Sequence, residues 1–124
     1  MEEKEEKILY LSTHGDEKPD KASIPFVLAN AALAMDVKAT VVLQANAVVV
    51  AKKGFVDNIP ASGGFPPMKK LVSDFVELGG TIWVCGPCIK ERNIDPSELI
   101  DGAEVTAAAQ LNIAALEADA VFVY

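Results

Sequence analysis

Short apolar runs alternate along the chain with segments of helical periodicity. Ile8-Leu9-Tyr10-Leu11, Thr40-Val41-Val42-Leu43, Thr81-Ile82-Trp83-Val84 and Ala120-Val121-Phe122-Val123 are continuous and apolar, with no polar residue at every second place. Such runs predict strands covered on both faces, as in a parallel sheet. Gly102-Ala103-Glu104-Val105 predicts a further short strand. Ala45 to Ala51, with Val48-Val49-Val50 inside it, fits either a strand or one buried helical turn.

Between these runs the period changes. Ile24, Val27, Leu28, Ala31 and Met35 recur at helical spacing and predict a helix reaching Met35. Pro25 places its start near Lys21 to Ser23, because proline is tolerated in the first turn. Met68, Leu71, Val72 and Phe75 form the buried stripe of a second helix, from Pro67 to the stop at Gly79-Gly80. Asp95-Pro96-Ser97-Glu98 carries a cap, a first-turn proline and a reciprocating Glu, so a short helix begins there. Thr106 is placed to cap an Ala-rich helix running through Leu116. Polar, breaker-rich stretches at His14 to Asp20 and Gly54 to Pro66 read as loops, and the second could close over a site.

The order of elements predicts a three-layer α/β/α domain with a mostly parallel sheet of four to five strands. Ligands of open sheets bind beyond the carboxyl ends of the strands. His14 to Asp20, the region after Leu43, and Cys85 to Asn93 should therefore share one edge.

At 124 residues the chain reads as one domain, with residues 1–6 a frayed acidic tail. The formal net charge of −7 argues against general nucleic-acid binding, which needs excess Lys and Arg. No apolar run reaches the roughly 18–20 residues that span a bilayer. The charged, mainly acidic start is unlike a secretory signal, so cytoplasmic residence is the expectation. There two cysteines should be reduced and serve redox, sulfur or metal chemistry before a structural bridge.

Cys85-Gly86-Pro87-Cys88 is the strongest chemical feature. A thiol opening a turn lies near unpaired backbone N–H groups that favour thiolate, and Lys90 and Arg92 add positive charge. A thiolate suits attack on sulfur, and two-residue spacing lets the second thiol resolve a bond made on the first. Cys85 is the expected reactive thiol and Cys88 its partner. Three plainer readings compete. Both cysteines could simply pack in the core. His14, Cys85 and Cys88 could hold zinc, although one chain supplies no fourth soft ligand. His14 could be a base or a substrate contact, or only a solvated loop residue. Asp16, Glu17 and Asp20 read as solvent-facing charges. Gly63-Gly64 lacks any phosphate-cradling pattern, and no cofactor is implied.

Trp83-Val84-Cys85-Gly86-Pro87-Cys88 resembles the thioredoxin active site over a few residues. Position argues against that fold: two strands and two helices precede the cysteines, and no proline precedes the last strand. A wider resemblance covers nearly the whole chain. The opening from Ile8 to Met35, a cysteine closing a central strand, and Arg92-Asn93-Ile94 shortly after it resemble the DsrE/DsrF-like family. That family includes sulfur-relay proteins of the TusD type and peroxiredoxin-like relatives. Asn93 stands where the family's pattern has Gly, and Asn also tolerates positive φ.

The resemblance implies a homotrimer or homohexamer in which Cys85 accepts sulfane sulfur as a persulfide and relays it between donor and acceptor proteins. Cys88 matches a second cysteine present in some members. Apart from the resemblance, the positive charge of Lys90 and Arg92 and the place of His14 at the ligand edge make these three the expected substrate contacts. A dithiol peroxidase or disulfide reductase, and a non-catalytic regulatory subunit, are the alternatives.

Overall fold

The computed structural model describes residues 5–124. Residues 1–4 of the expected acidic tail lie outside the described residues. Five strands form one sheet: β1 (Lys7–Ser12), β2 (Lys38–Leu43), β3 (Thr81–Cys85), β4 (Ala103–Thr106) and β5 (Ala120–Val123). Their order is β4-β3-β2-β1-β5, and every pairing is parallel. Two helices lie in the first two crossovers, α1 (Pro19–Ala34) between β1 and β2 and α2 (Met68–Glu77) between β2 and β3. The short α3 (Gly86–Glu91) follows β3, and α4 (Ala108–Glu117) links β4 to β5. All five strands and both long early helices stand where the hydrophobic pattern placed them, apart from the start of α1. The parallel sheet replaces the antiparallel hairpin that a thioredoxin would show after the cysteines.

Registry divides the apolar residues between two faces, since paired residues in adjacent parallel strands share a face. Tyr10, Val41 and Ile82 align on the first face, with Phe122 beyond them on β5. Tyr10 and Phe122 stack with ring centroids 5.5 Å apart. α1 and α2 cover this face, and Phe26 of α1 meets Phe75 of α2 edge-on at 5.6 Å. Both rings are fully buried, as are Val41, Leu43 and Val84. This is the main core.

The second face carries Leu9, Val42 and Trp83, and α4 alone lies over it. Leu9 and Val42 are buried, whereas Trp83 is only half-buried, so it is less of a core residue than its strand suggested. No residue of α4 is buried. Leu116 is 87% exposed and Val123 67%. The three layers are thus present but unequal.

Several local readings are corrected or resolved. α1 begins at Pro19, not near Lys21 to Ser23, so Pro25 lies inside the helix. Its missing N–H leaves one carbonyl of the first turns without its usual donor, a cost that complete burial of Pro25 against the core offsets. Thr106 ends β4, and Ala107 is the residue preceding α4, without a side-chain cap. Ala45–Ala51 resolves as 3-10 turns, with Ala47, Val48, Val50 and Ala51 buried. The expected helix at Asp95 is a single 3-10 turn, Pro96–Glu98, closed by the reciprocal cap: Asp95 accepts from Ser97 N–H and Glu98 from Asp95 N–H. The Gly54–Pro66 loop contains another 3-10 turn, Phe55–Asn58, and its Gly63 lies against Asp20 at the start of α1.

The stop after α2 shows how local sequence sets packing. Gly79 is left-handed at φ 87°, its N–H donates to Val76 O, and Gly80 N–H donates to Phe75 O. This fold-back lays Gly80 on the Phe75 ring, where an added Cβ would come within 2.3 Å. Gly80→Ala is therefore expected to displace Phe75 and lower stability by about 1–3 kcal/mol, as overpacking does. Urea denaturation checks this, and an unchanged midpoint would contradict it.

Candidate functional site

Parallel pairing brings the ends of β1, β2 and β3 to one edge, so the loops after Ser12, Leu43 and Val84 meet there. Cys85 is the last residue of β3 and the residue preceding α3, with Pro87 in the first turn. Cys85 and Cys88 are joined as a disulfide, their Cα atoms 5.3 Å apart. Both residues are half-buried. Cys85 pairs in register with Thr106, which puts it on the second sheet face.

There Cys85 lines a cleft of about 630 Å³ between the end of β3 and the start of α4. Val42, Gln44, Thr106, Gln110 and Leu111 are among the lining residues, and Cys88 is not. The lining carries no charged side chain. The two sulfurs thus differ in surroundings: Cys85 lines the cleft, and Cys88, three residues further along in α3, does not.

Cys88 meets the loop after β2. Ala45 N–H donates to Cys88 Sγ at 3.3 Å. Ala45 holds φ 49°, a left-handed conformation that costs a non-glycine residue about 1–2 kcal/mol. Gln44 before it is tied to β1 by its N–H on Ser12 O at 2.9 Å. Asn46 after it donates to Glu17 Oε1 at 2.7 Å and to Asp16 Oδ1 at 3.1 Å. The Gln44–Asn46 turn therefore links the cysteine loop to the loop after β1.

Glu17 gathers that first loop. It accepts from Asn46 and from Gly15 N–H, and its Oε2 lies 3.0 Å from His14 Nδ1. Gly15 is required here, since a Cβ would stand 2.5 Å from Asn46 O. Partial burial disfavours the Glu17 carboxylate, but the donors from Asn46, Gly15 and His14 outweigh it and hold its pKa down at about 2. Glu17 is a loop organiser where the sequence suggested only a solvated charge.

The expected contact residues divide. His14 reaches the shared edge but engages Glu17, and among the described residues no hydrogen bond joins it to either sulfur. Arg92 Nη1 donates to Cys88 O at 3.1 Å and so braces the cysteine turn. Lys90 is exposed and lines a neighbouring hollow with Ile89, Asn93 and Ile94. Asn93 is left-handed at φ 55°, and Ile94 N–H returns to Ile89 O, so Asn serves the turn in place of Gly. Among the described residues no three His, Cys, Asp or Glu side chains gather as a metal-ligand set. The residues that sequence reasoning missed are Ala45 and Asn46. Their one signal is their place directly after a predicted strand end.

The depressed Glu17 pKa fixes a pH dependence. A carboxylate that ionises more readily folded than unfolded adds stability above its unfolded pKa, near 4.5. That contribution is lost as pH falls from about 4.5 towards about 2. Glu17→Gln should therefore lose stability at neutral pH and differ progressively less from the parent below pH about 4.5. Denaturation midpoints across this range check it, and a pH-independent difference would contradict it.

Comparison with known proteins agrees with this fold. The DsrE/DsrF-like family matches residues 6–124. The chain is 31% identical over 115 residues to uncharacterized protein MJ0760 of Methanocaldococcus jannaschii, covering 86% of this chain but only 42% of that protein. It is 32% identical over 93 residues to uncharacterized protein MJ0989 of the same organism, covering 75% of this chain and 77% of that one. In three dimensions it is similar to the ychN protein from E. coli, with a TM-score of 0.72 at 18% identity over 96% of this chain and 99% of that one. The protein of unknown function MTH1491 from Methanobacterium thermoautotrophicum gives a TM-score of 0.71 at 13% identity, over 98% and 100%. Among the described residues no helix is long and apolar enough to cross a membrane. The chain belongs to the DsrE/DsrF-like family.

Proposed function

We propose that this protein is a cytoplasmic sulfur carrier in which Cys85 accepts sulfane sulfur as a persulfide and passes it on. One observation carries the reading: Cys85 ends an interior strand at the ligand edge and faces an uncharged cleft, with a second thiol within bonding reach. The chemistry follows. In the reduced pair, the Cys85 thiolate attacks the outer sulfur of a persulfide donor and forms Cys85–S–SH, and the donor leaves as a thiolate. An acceptor thiolate then attacks that outer sulfur and regenerates Cys85. Cys88 is the resolving thiol: its thiolate can attack Cys85 Sγ of the persulfide, breaking the bond to the outer sulfur, which leaves as hydrosulfide, and closing the disulfide. Arg92 supports this by fixing the Cys88 carbonyl. Lys90 and His14 lie beyond the cleft lining, where they would meet a protein donor or acceptor at the rim.

The disulfide favours a second reading, a dithiol oxidoreductase that reduces peroxide or disulfides with the same pair. The two differ in what Cys85 retains. The reduced protein, incubated with inorganic polysulfide, should gain one sulfur atom on Cys85 by intact and peptide mass spectrometry, and Cys85→Ser should gain none. Steady turnover of peroxide with a thiol reductant, without retained sulfur, would establish the second reading instead.

We also infer that the protein works as a homotrimer or a multiple of it. The thin cover of the second sheet face supports association: α4 buries no residue, and Ile113, Leu116, Val121 and Val123 are exposed. Four exposed apolar residues on two consecutive elements suit a surface that a second copy covers. Light scattering at micromolar concentration should report three chains or a multiple of three, and a particle of one chain would contradict this.

A further inference from the structure

We propose that the Cys85–Cys88 disulfide is itself an oxidant for hydrosulfide: HS⁻ entering the cleft attacks Cys85 Sγ, and Cys88 leaves as a thiolate received by the Ala45 N–H. This rests on the reading of Cys85 as the sulfur-carrying residue, and adds a route by which sulfide, already fully reduced, becomes carried sulfane sulfur.

The two sulfurs are placed unequally for such a step. Cys85 lines the 630 Å³ cleft and Cys88 does not, so a nucleophile arriving there meets Cys85. Displacement at a disulfide proceeds in line, through attack on one sulfur and departure of the other. The departing sulfur here is Cys88, and its Sγ already accepts the Ala45 N–H at 3.3 Å. A hydrogen bond to the charged form lowers a thiol's pKa, and a lower leaving-group pKa speeds exchange. Ala45 holds its amide in place at the cost of a left-handed φ of 49°. Strain of this kind, at a residue whose amide meets the reacting pair, marks a built feature. The flanking contacts, Gln44 N–H on Ser12 O and Asn46 on Glu17, fix the turn from both sides.

The step balances. One S–S bond breaks, between Cys85 and Cys88, and one forms, between Cys85 and the incoming sulfur. The disulfide accepts two electrons and sulfide supplies them. Hydrosulfide keeps its proton as the persulfide S–H, and Cys88 carries the negative charge away. The return reaction is attack of Cys88 thiolate on Cys85 Sγ with loss of HS⁻. Stabilising Cys88 thiolate opposes that return, so the same amide favours both opening and retention.

The cleft also argues for the size of the nucleophile. Its lining offers side-chain amides, a hydroxyl and apolar groups, with no cation or anion to pair with the charged ends of an amino-acid-derived thiol. Hydrosulfide needs no such partners.

The test uses the oxidised wild-type protein with sodium sulfide under anaerobic conditions. After alkylation, fragmentation of the peptide that holds both cysteines locates the added sulfur. The expected result is one extra sulfur on Cys85 and a singly alkylated Cys88. Extra sulfur on Cys88, an unreacted disulfide, or a reduced pair with no retained sulfur would overturn the proposal. Cys88→Ser removes the disulfide, so sulfide should leave its Cys85 unmodified while polysulfide still loads it. If polysulfide loads reduced wild type but sulfide does not load the oxidised form, this route alone fails. If polysulfide fails on reduced wild type, the carrier reading fails.

The amide is tested separately. Ala45→Val disfavours the left-handed backbone and should slow opening by sulfide about tenfold, as for loss of one hydrogen bond to a charged group. In a Cys85→Ser background, Ala45→Val should also shift Cys88 alkylation to higher pH. Ala45→Gly keeps both the amide and the backbone conformation, and should restore the rate and the pH profile. Identical profiles for all three residues at position 45 would remove the amide from the mechanism.

Discussion

Because every strand pairs in parallel, all five carboxyl ends arrive at one edge, and each chain reversal must cross a face of the sheet. Cys85 reaches that edge because β3 ends there. The turn after β2 and the loop after β1 reach it for the same reason. No single contact assembles the site; the registers of β1 with β2 and of β2 with β3 set the heights of the three loops. The hydrogen bonds from Ala45 to Cys88 and from Asn46 to Glu17 then lock loops that the sheet has already aligned. A change in strand register would separate them even if every local turn survived.

The main core supplies the rigidity this alignment needs. α1 and α2 bury Phe26 and Phe75 against Val41 and Val84, so one sheet face is densely filled. The opposite face is covered by α4 alone, and that asymmetry leaves room for the cleft beside Cys85. Dense packing and access to Cys85 are thus divided between the two faces. The well-packed face holds the strand that presents the sulfur, and the thinly packed face leaves the sulfur accessible.

Much of this was legible in the sequence because it depends on short-range pattern. The strands announce themselves as apolar runs, and Cys85-Gly86-Pro87-Cys88 follows one directly. The cap at Asp95 and the stop at Gly79-Gly80 are local chemistry. What was not legible depends on tertiary context. Pro25 reads as a first-turn residue, yet burial carries it inside α1. Ala45 shows no preference for positive φ, so its left-handed turn is visible only once the loops on either side are in place. Glu17 looks like any solvated acid until Gly15 and Asn46 donate to it. That Cys85 lines the cleft and Cys88 does not likewise depends on where α4 begins, a boundary displaced from Thr106 by the extent of β4.

The central claim is that the sulfur facing the cleft carries the cargo. Crystals of the reduced protein soaked in polysulfide, with data collected at a wavelength where sulfur scatters anomalously, test it most directly. The account predicts one new anomalous peak within covalent distance of Cys85 Sγ, lying in the cleft bounded by Gln44, Thr106 and Gln110. A new peak bonded to Cys88, or two unmodified sulfurs after a soak that persulfidates free thiols in solution, would contradict it.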